Sequence, residues 1–287
     1  MDTIGSLQYF LWIIGFIGIG VGLHFLLINK KEFVKKWTIF GLLMLAFVLH
    51  FTKILYVKPT SEWTLFNWLD GKNGIELTNL CSVSVVLFPF LFLFGNRFFK
   101  NGFIVLGITS GVISFLIPTE VEKIQNLDVY GVCDQLRFYI QHGIIWIAPM
   151  LCLSLNLYQM KWKEFYQPWL YIMLCLIIIV ACEGVWTYMG WQKRSGIDGW
   201  NTSFQWGPEK GALGSLFTWI VPKALFTYNG KYIPVFWLTL PIFFYFSIFA
   251  LIITMFDHFK NYPNKKIMVK AQINKIKSFK LFKHKQN

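Results

Sequence analysis

Charged side chains are scarce in this chain, at 14% of 287 residues. A soluble domain of that length carries nearly twice the share, about 25%. Arginine is scarcer still, with three residues against 24 lysines. No CxxC pair, no HExxH, no glycine-rich phosphate loop and no internal repeat occurs. Those gaps remove the usual sequence warrants for a redox dithiol, a zinc peptidase, a nucleotide site or a solenoid.

What the chain has instead is apolar length. It is 55% hydrophobic with a mean hydropathy of +0.51, which describes an integral membrane protein. A helix crossing a ~30 Å hydrocarbon core needs roughly 20 apolar residues. Seven runs are candidates, at about 7–28, 37–57, 76–95, 102–117, 138–158, 168–190 and 233–256, of which the fourth is short, as is the third if Glu76 to Asn79 lie outside. The expected fold is therefore all-α, a polytopic seven-helix bundle in one domain over residues 1–258, followed by a basic tail at 259–287. The first run follows Asp2 and lacks a positive n-region, so it is read as a retained span and not a signal peptide.

Lysine and arginine orient the bundle. Segments 29–36, 96–101 and 159–167 plus the tail carry 17 positive residues against Glu32 and Glu164, leaving aside Asp257 at the border. With Lys53 and Glu183 counted inside spans, the opposite loops carry nine positive residues and ten acids. Positive loops stay in the cytoplasm, so the expected topology is N-terminus out and C-terminus in. Connections 58–75, 118–137 and 191–232 then lie outside. Within the last of these, 212–221 is apolar enough to lie in the interface or dip inward, and Trp191, Trp200, Trp206 and Trp219 suit interfacial anchoring. The net charge of +13 gathers in the tail, where nine lysines occupy 260–285. Such a tail fits anionic lipid headgroups, so no nucleic-acid partner is expected. The residues leave oligomeric state open. The expected location is the cell membrane, multi-pass.

Ionisable groups are costly at membrane depth and mark candidate sites. His24 lies near the inner end of span one. His50, Cys81, His142 and Glu183 fall in outer halves, with Cys81 one turn into span three and His142 about four residues into span five. Thr78 and Asn79 are good helix caps. A capped first turn favours a thiolate at Cys81, and an imidazole at similar depth would activate it. The expected catalytic pair is Cys81 and His142. Asn79 and Gln141 are candidate oxyanion donors, and His50 and Glu183 are supporting or substrate-binding candidates. Two other roles for Cys81 stay open on residues alone: a packed core cysteine, or a disulfide with Cys133. Glu183 has three open roles, orienting an imidazole or pairing with Lys53 or with His50. No cofactor and no metal is expected. A zinc site would need His50, His142 and Cys81 together without any close ligand spacing. The alternative function is a transporter, or a small-molecule or lipid-binding module, using the same outer-half residues as a pocket. Gly18-x3-Gly22 and Gly107-x3-Gly111 read as close helix contacts. Pro89 and Pro149 read as kinks.

The stretch IELTNLCSVSVVLFPFLFLF from Ile75, then GFIVLGITSGVISFLIPTE and FYIQHGIIWIAP, resembles the YwaF-like integral membrane family, whose wider group includes transmembrane protein 164. Cysteine opening a span, a glycine-rich span ending in proline, and histidine in the next span occur in that order over about 70–160. The resemblance implies a lipid acyltransferase that moves a fatty acyl group between phospholipids through a thioester on Cys81, with His142 as base. Hydrolysis is the related outcome. Family members often place histidine two residues before the cysteine, where this chain has Asn79. A later Asn-Tyr motif is echoed only loosely at 201–204.

Overall fold

The computed structural model describes residues 7–52, 77, 79–116, 129–188, 203–208 and 212–258. The tail at 259–287, Lys53, Thr78, Trp191 and Trp200, the connection 58–75 and most of 118–137 lie outside them. Six long helices open the described chain: α1 Leu7–Leu27, α2 Glu32–Phe51, α3 Leu80–Phe94, α4 Arg97–Leu116, α5 Val129–Ser154 and α6 Gln167–Tyr188. A shorter helix α7, Ala212–Ile220, precedes a small hairpin of β1 Thr227–Tyr228 and β2 Lys231–Tyr232. A last long helix, α8, runs over 239–258.

Six of these segments are long and apolar enough to cross a membrane: Tyr9–Leu27, Glu32–Phe51, Arg97–Leu116, Gly131–Ser154, Trp162–Val185 and Phe236–His258. Helix α3 is apolar but has only 15 residues, about 22 Å of helix. Its bounds follow from its ends, since Asn79 caps the start and Gly95 closes the end. The chain is an all-α polytopic membrane protein. Its outward faces are apolar, with Leu11, Ile14, Phe25, Phe33, Val48 and Phe94 all exposed, as expected where lipid tails replace water.

Several bounds differ from the hydropathy reading, each for a local reason. Helix α2 starts at Glu32, not near 37, because Glu32 and Lys36 pair at 2.7 Å across one turn. Helix α4 starts at Arg97, not near 102, because its polar first turn is absorbed by partners. Arg97 Nε meets Glu164 at 2.6 Å. Buried Asn101 donates to Gln167 Oε1 at 2.6 Å and to Glu164 Oε2 at 3.1 Å. The Tyr158 hydroxyl donates to Asn101 Oδ1 at 2.6 Å. Burial pushes that hydroxyl well above its ordinary titration range, so it remains a donor. This cluster ties α4 to the connection between α5 and α6. Helix α5 starts at Val129, about nine residues before the expected 138. Arg137 and Cys133 therefore lie on a helix and not in an external loop.

Helix α5 is central. It packs against α1, α2, α3 and α4, while α4 and α3 also pack on α6. The α4–α5 contact rests on glycine. A Cβ on Gly107 would lie 2.8 Å from the Pro149 ring, and one on Gly111 would lie 2.9 Å from Trp146 Cα. The expected contact at Gly18 and Gly22 is not met, since a Cβ on either has nothing within 4 Å among the described residues. In α1 it is Gly20 that faces α5, where a Cβ would lie 3.4 Å from Ile147 Cγ1.

The chain after α6 does not stay wholly clear of the bundle. Trp169, in the first turn of α6, donates to Thr239 O at 3.1 Å, and its ring stands 5.4 Å from Phe243. Near the other end of α6, Glu183 is held by Gln205 and Trp206. The segment that begins at Gln205 and ends at Thr239 is therefore tied to α6 at both of its ends. Within it, Phe217 of α7 packs on Phe204, Trp237 and Tyr245, leaving Trp219 81% exposed for an apolar surround.

Candidate functional site

Helix α3 begins in a built cap. Asn79 is extended, with φ −141 and ψ 162. Its Oδ1 accepts from Ser82 N at 2.7 Å and from Ser82 Oγ at 2.7 Å. The Leu80 N–H is satisfied from a distance, by Ser203 Oγ at 2.9 Å. Two of the amides that a helix start leaves without intrahelical partners are thus bonded to side chains. Cys81 stands between them in the first turn and is half-buried. The aligned amide dipoles there favour an anion, which for a cysteine is the nucleophilic thiolate. Asn79 has committed its oxygen to the cap, so the hydrogens it can offer are on Nδ2.

His142 lies mid-way along α5 and is 3% exposed. Its Nδ1 is 2.8 Å from Phe138 O, and its ring stacks on Phe138 at 4.1 Å between centroids. A carbonyl only accepts, so Nδ1 carries the hydrogen and Nε2 is the basic nitrogen of the neutral ring. Gln141 is buried beside it. Its Oε1 accepts from Arg137 Nη1 at 2.7 Å, and Arg137 Nε also bonds Asp134 Oδ1 at 2.7 Å. His50 occupies the last turn of α2 and is buried.

Depth can be measured from the ends joined by the short connections. Cys81 is 13 residues from the end of α3 at Phe94, and His142 is 12 residues from the end of α5 at Ser154. At 1.5 Å per residue these are roughly 20 Å and 18 Å. Helices α3 and α5 touch, and α2 touches both. The expected position of His142 four residues into its span is corrected by the earlier start of α5. None of the five cysteines is joined in a disulfide, Cys81 and Cys133 included, so the disulfide alternative is not met. Cys152 and Cys175 are buried in the apolar core of α5 and α6, as expected for small packed side chains.

Among the described residues, which do not include Lys53, Glu183 meets partners other than the imidazoles that were open. It is 1% exposed, and its two oxygens accept from Gln205 Nε2 and Trp206 Nε1, each at 2.7 Å. Among the described residues its partners are these and not an imidazole. Gln205, fully buried, continues the network, since its Oε1 accepts from Ser203 N at 3.0 Å and its carbonyl from Val235 N at 2.7 Å. The Trp237 indole donates to Phe204 O at 2.9 Å. Where these segments cross, Phe204 and Val235 hold positive φ of 61° and 62°. That conformation costs about 1–3 kcal/mol at a non-glycine residue and persists only where surroundings enforce it.

Sequence reasoning missed the roles of Ser203, Gln205 and Arg137, and read Trp206 as an interfacial anchor where its indole donates to Glu183. Ser203, Gln205 and Trp206 lie in a stretch without periodicity, and their partners on the helices are 22 to 123 residues away. Arg137 was readable only if α5 was known to start early. The one available signal was Glu183 itself, a buried carboxylate that required donors.

The match to the TMEM164 family runs over residues 4–202, which takes in α1 through α6 and every candidate residue read from the sequence. No curated protein and no solved structure matches the chain. The narrower YwaF-like assignment rests on sequence resemblance alone. With more than two thirds of its length matched, the chain is a member of the TMEM164 family.

Proposed function

We propose that this protein carries out thiol-dependent acyl chemistry on a membrane lipid, with Cys81 as nucleophile and His142 as base. What supports the reading is a thiol in a capped first turn and an imidazole whose Nδ1 hydrogen is already engaged, carried at similar depth on helices that touch. In the first step His142 Nε2 takes the Cys81 proton and the sulfur bonds to the ester carbonyl carbon. The carbonyl electrons move to oxygen, where Asn79 Nδ2 or Gln141 Nε2 would donate to the oxyanion. Collapse breaks the ester C–O bond, and the imidazolium returns its proton to the leaving alkoxide, giving a lysolipid alcohol and an acyl-thioester. In the second step the imidazole deprotonates an incoming hydroxyl. A lysolipid hydroxyl gives transacylation and water gives hydrolysis. Either way the thiol is regenerated. His50 supports the pocket, and anionic headgroups outside the catalytic pocket meet the basic tail.

The test uses the full chain in nanodiscs with a phospholipid labelled in one acyl chain. Label should join the protein, map to Cys81 and be released by neutral hydroxylamine. Cys81→Ser should abolish it and Cys133→Ser should not. Label that maps elsewhere, or resists hydroxylamine, ends the proposal.

The topology that goes with this reading has seven crossings, N-terminus out and C-terminus in, at the cell membrane. It is supported by the 17 positive residues on one side. The contact of Thr239 with the first turn of α6 makes α8 the part to check. A tag after Asn287 should resist protease added to intact cells, and a tag before Met1 should be cut. Cleavage of both would mean that α8 runs parallel to α6.

A further inference from the structure

We infer that Glu183 is a positioning residue for Cys81, acting through Gln205 and Ser203 on the first turn of α3. This rests on the reading of Cys81 as the reactive thiol. The connection is a chain of three hydrogen bonds. Gln205 Nε2 donates to Glu183 Oε1 at 2.7 Å, Ser203 N donates to Gln205 Oε1 at 3.0 Å, and Leu80 N donates to Ser203 Oγ at 2.9 Å. Leu80 precedes Cys81 directly. Glu183 is 1% exposed, Gln205 0% and Ser203 9%, so water does not compete for these bonds and each constrains the next. The family match ends at residue 202, immediately before Ser203, so this connection lies beyond what membership covers.

The donors dictate why the residue is a carboxylate. The Ser203 N–H fixes the Gln205 amide with its oxygen toward Ser203, so its Nε2 must face Glu183. The Trp206 indole can only donate. The side chain at 183 must therefore accept twice. Glutamine accepts on one atom and turns an N–H toward a second N–H. That leaves buried donors unsatisfied, loosens 203–206 and removes the tether on Leu80. Fraying of that turn weakens the amide field at Cys81 and lowers its thiolate fraction.

The same hydrogen bonds can be rebuilt in reverse by combining Glu183→Gln with Gln205→Glu. The carboxylate now at position 205 accepts from Ser203 N and from the amide nitrogen introduced at position 183. The amide oxygen at position 183 accepts from Trp206. The exchange keeps one carboxylate and three hydrogen bonds at the same sites.

The experiment follows alkylation of the full-length protein in nanodiscs by uncharged iodoacetamide. Rates at Cys81 and Cys133 are resolved by peptide mapping over a range of pH. Glu183→Gln and Ser203→Ala should move the midpoint of the Cys81 rate profile upward. The neutral-pH Cys81 rate should fall about two- to fivefold, the size of a helix-terminus effect, with Cys133 unchanged. The exchanged double variant should restore the wild-type midpoint. A mere change in access scales the rate at every pH and leaves the midpoint in place, which would overturn the inference. So would equal changes at Cys81 and Cys133. Should Glu183→Gln fail to insert, Ser203→Ala decides alone, because it removes one acceptor and leaves the Glu183–Gln205 bond. The labelled-lipid assay separates the two proposals. A moved midpoint without any thioester keeps the positioning role and ends the acyl reading, whereas a thioester with an unmoved midpoint does the opposite.

Discussion

On the proposed acyl chemistry, His142→Ala should lower acyl transfer by about a hundred- to ten-thousandfold, the range that a positioned general base contributes. The effect should be this large because the polar neighbours of His142 on α5 cannot act as a base. Gln141 is an amide, and Arg137 is a permanent cation paired with Asp134 and Gln141. The Nδ1 hydrogen bond to Phe138 O and the stack on its ring hold the imidazole in one pose, so the wild-type rate has the benefit of pre-organisation. Removing the ring opens a buried space but keeps the Arg137–Gln141 bond, and the protein should remain folded by its melting curve. Added imidazole should recover part of the lost rate in His142→Ala and none in Cys81→Ser. If His142→Ala acylates at the wild-type rate, Cys81 is not activated by this residue. The bundle is then better described as a lipid-binding or transport module.

The parts of the fold that were legible in the sequence are those where composition alone decides. Helices α1 and α6 are near-continuous apolar runs, and their bounds fall close to the hydropathy reading. The bounds that moved are those where polar residues have partners, and hydropathy does not see partners. Arg97, Lys100 and Asn101 read as a loop, yet Glu164, Gln167 and Tyr158 absorb Arg97 and Asn101 into the start of α4. Asp134, Gln135 and Arg137 read as an external connection, yet a salt bridge and a bond to Gln141 keep them on α5. The Asn79 cap was legible because its chemistry is local, three residues from donor to acceptor. The bond from Ser203 to Leu80 was not, because it closes over 123 residues.

Gly111→Ala should melt below the wild type in detergent, while Gly18→Ala should melt at or above it, although both glycines sit in the same spacing motif. Spacing puts two glycines on one helix face but does not say what that face meets. At Gly18 a new methyl enters open space, and alanine favours helix over glycine by about 1 kcal/mol. At Gly111 the methyl would lie 2.5 Å from Trp146 Cβ, 2.9 Å from its Cα and 3.1 Å from its backbone N. Backbone cannot rotate aside, so α4 and α5 must separate, at an overpacking cost of about 1–3 kcal/mol that exceeds the propensity gain. Gly111→Val should be lower again. Activity should fall further than stability. Trp146 follows His142 by four residues, which places both on one face of α5. A displacement of about 1 Å at a catalytic base is enough to cost roughly a hundredfold in rate. Gly111→Ala should therefore lose acyl transfer at temperatures where its melting curve shows it fully folded. Its loss should match that of His142→Ala in kind, with Cys81 still present but poorly acylated. If Gly111→Ala melts with Gly18→Ala, the α4–α5 contact is looser than this packing requires.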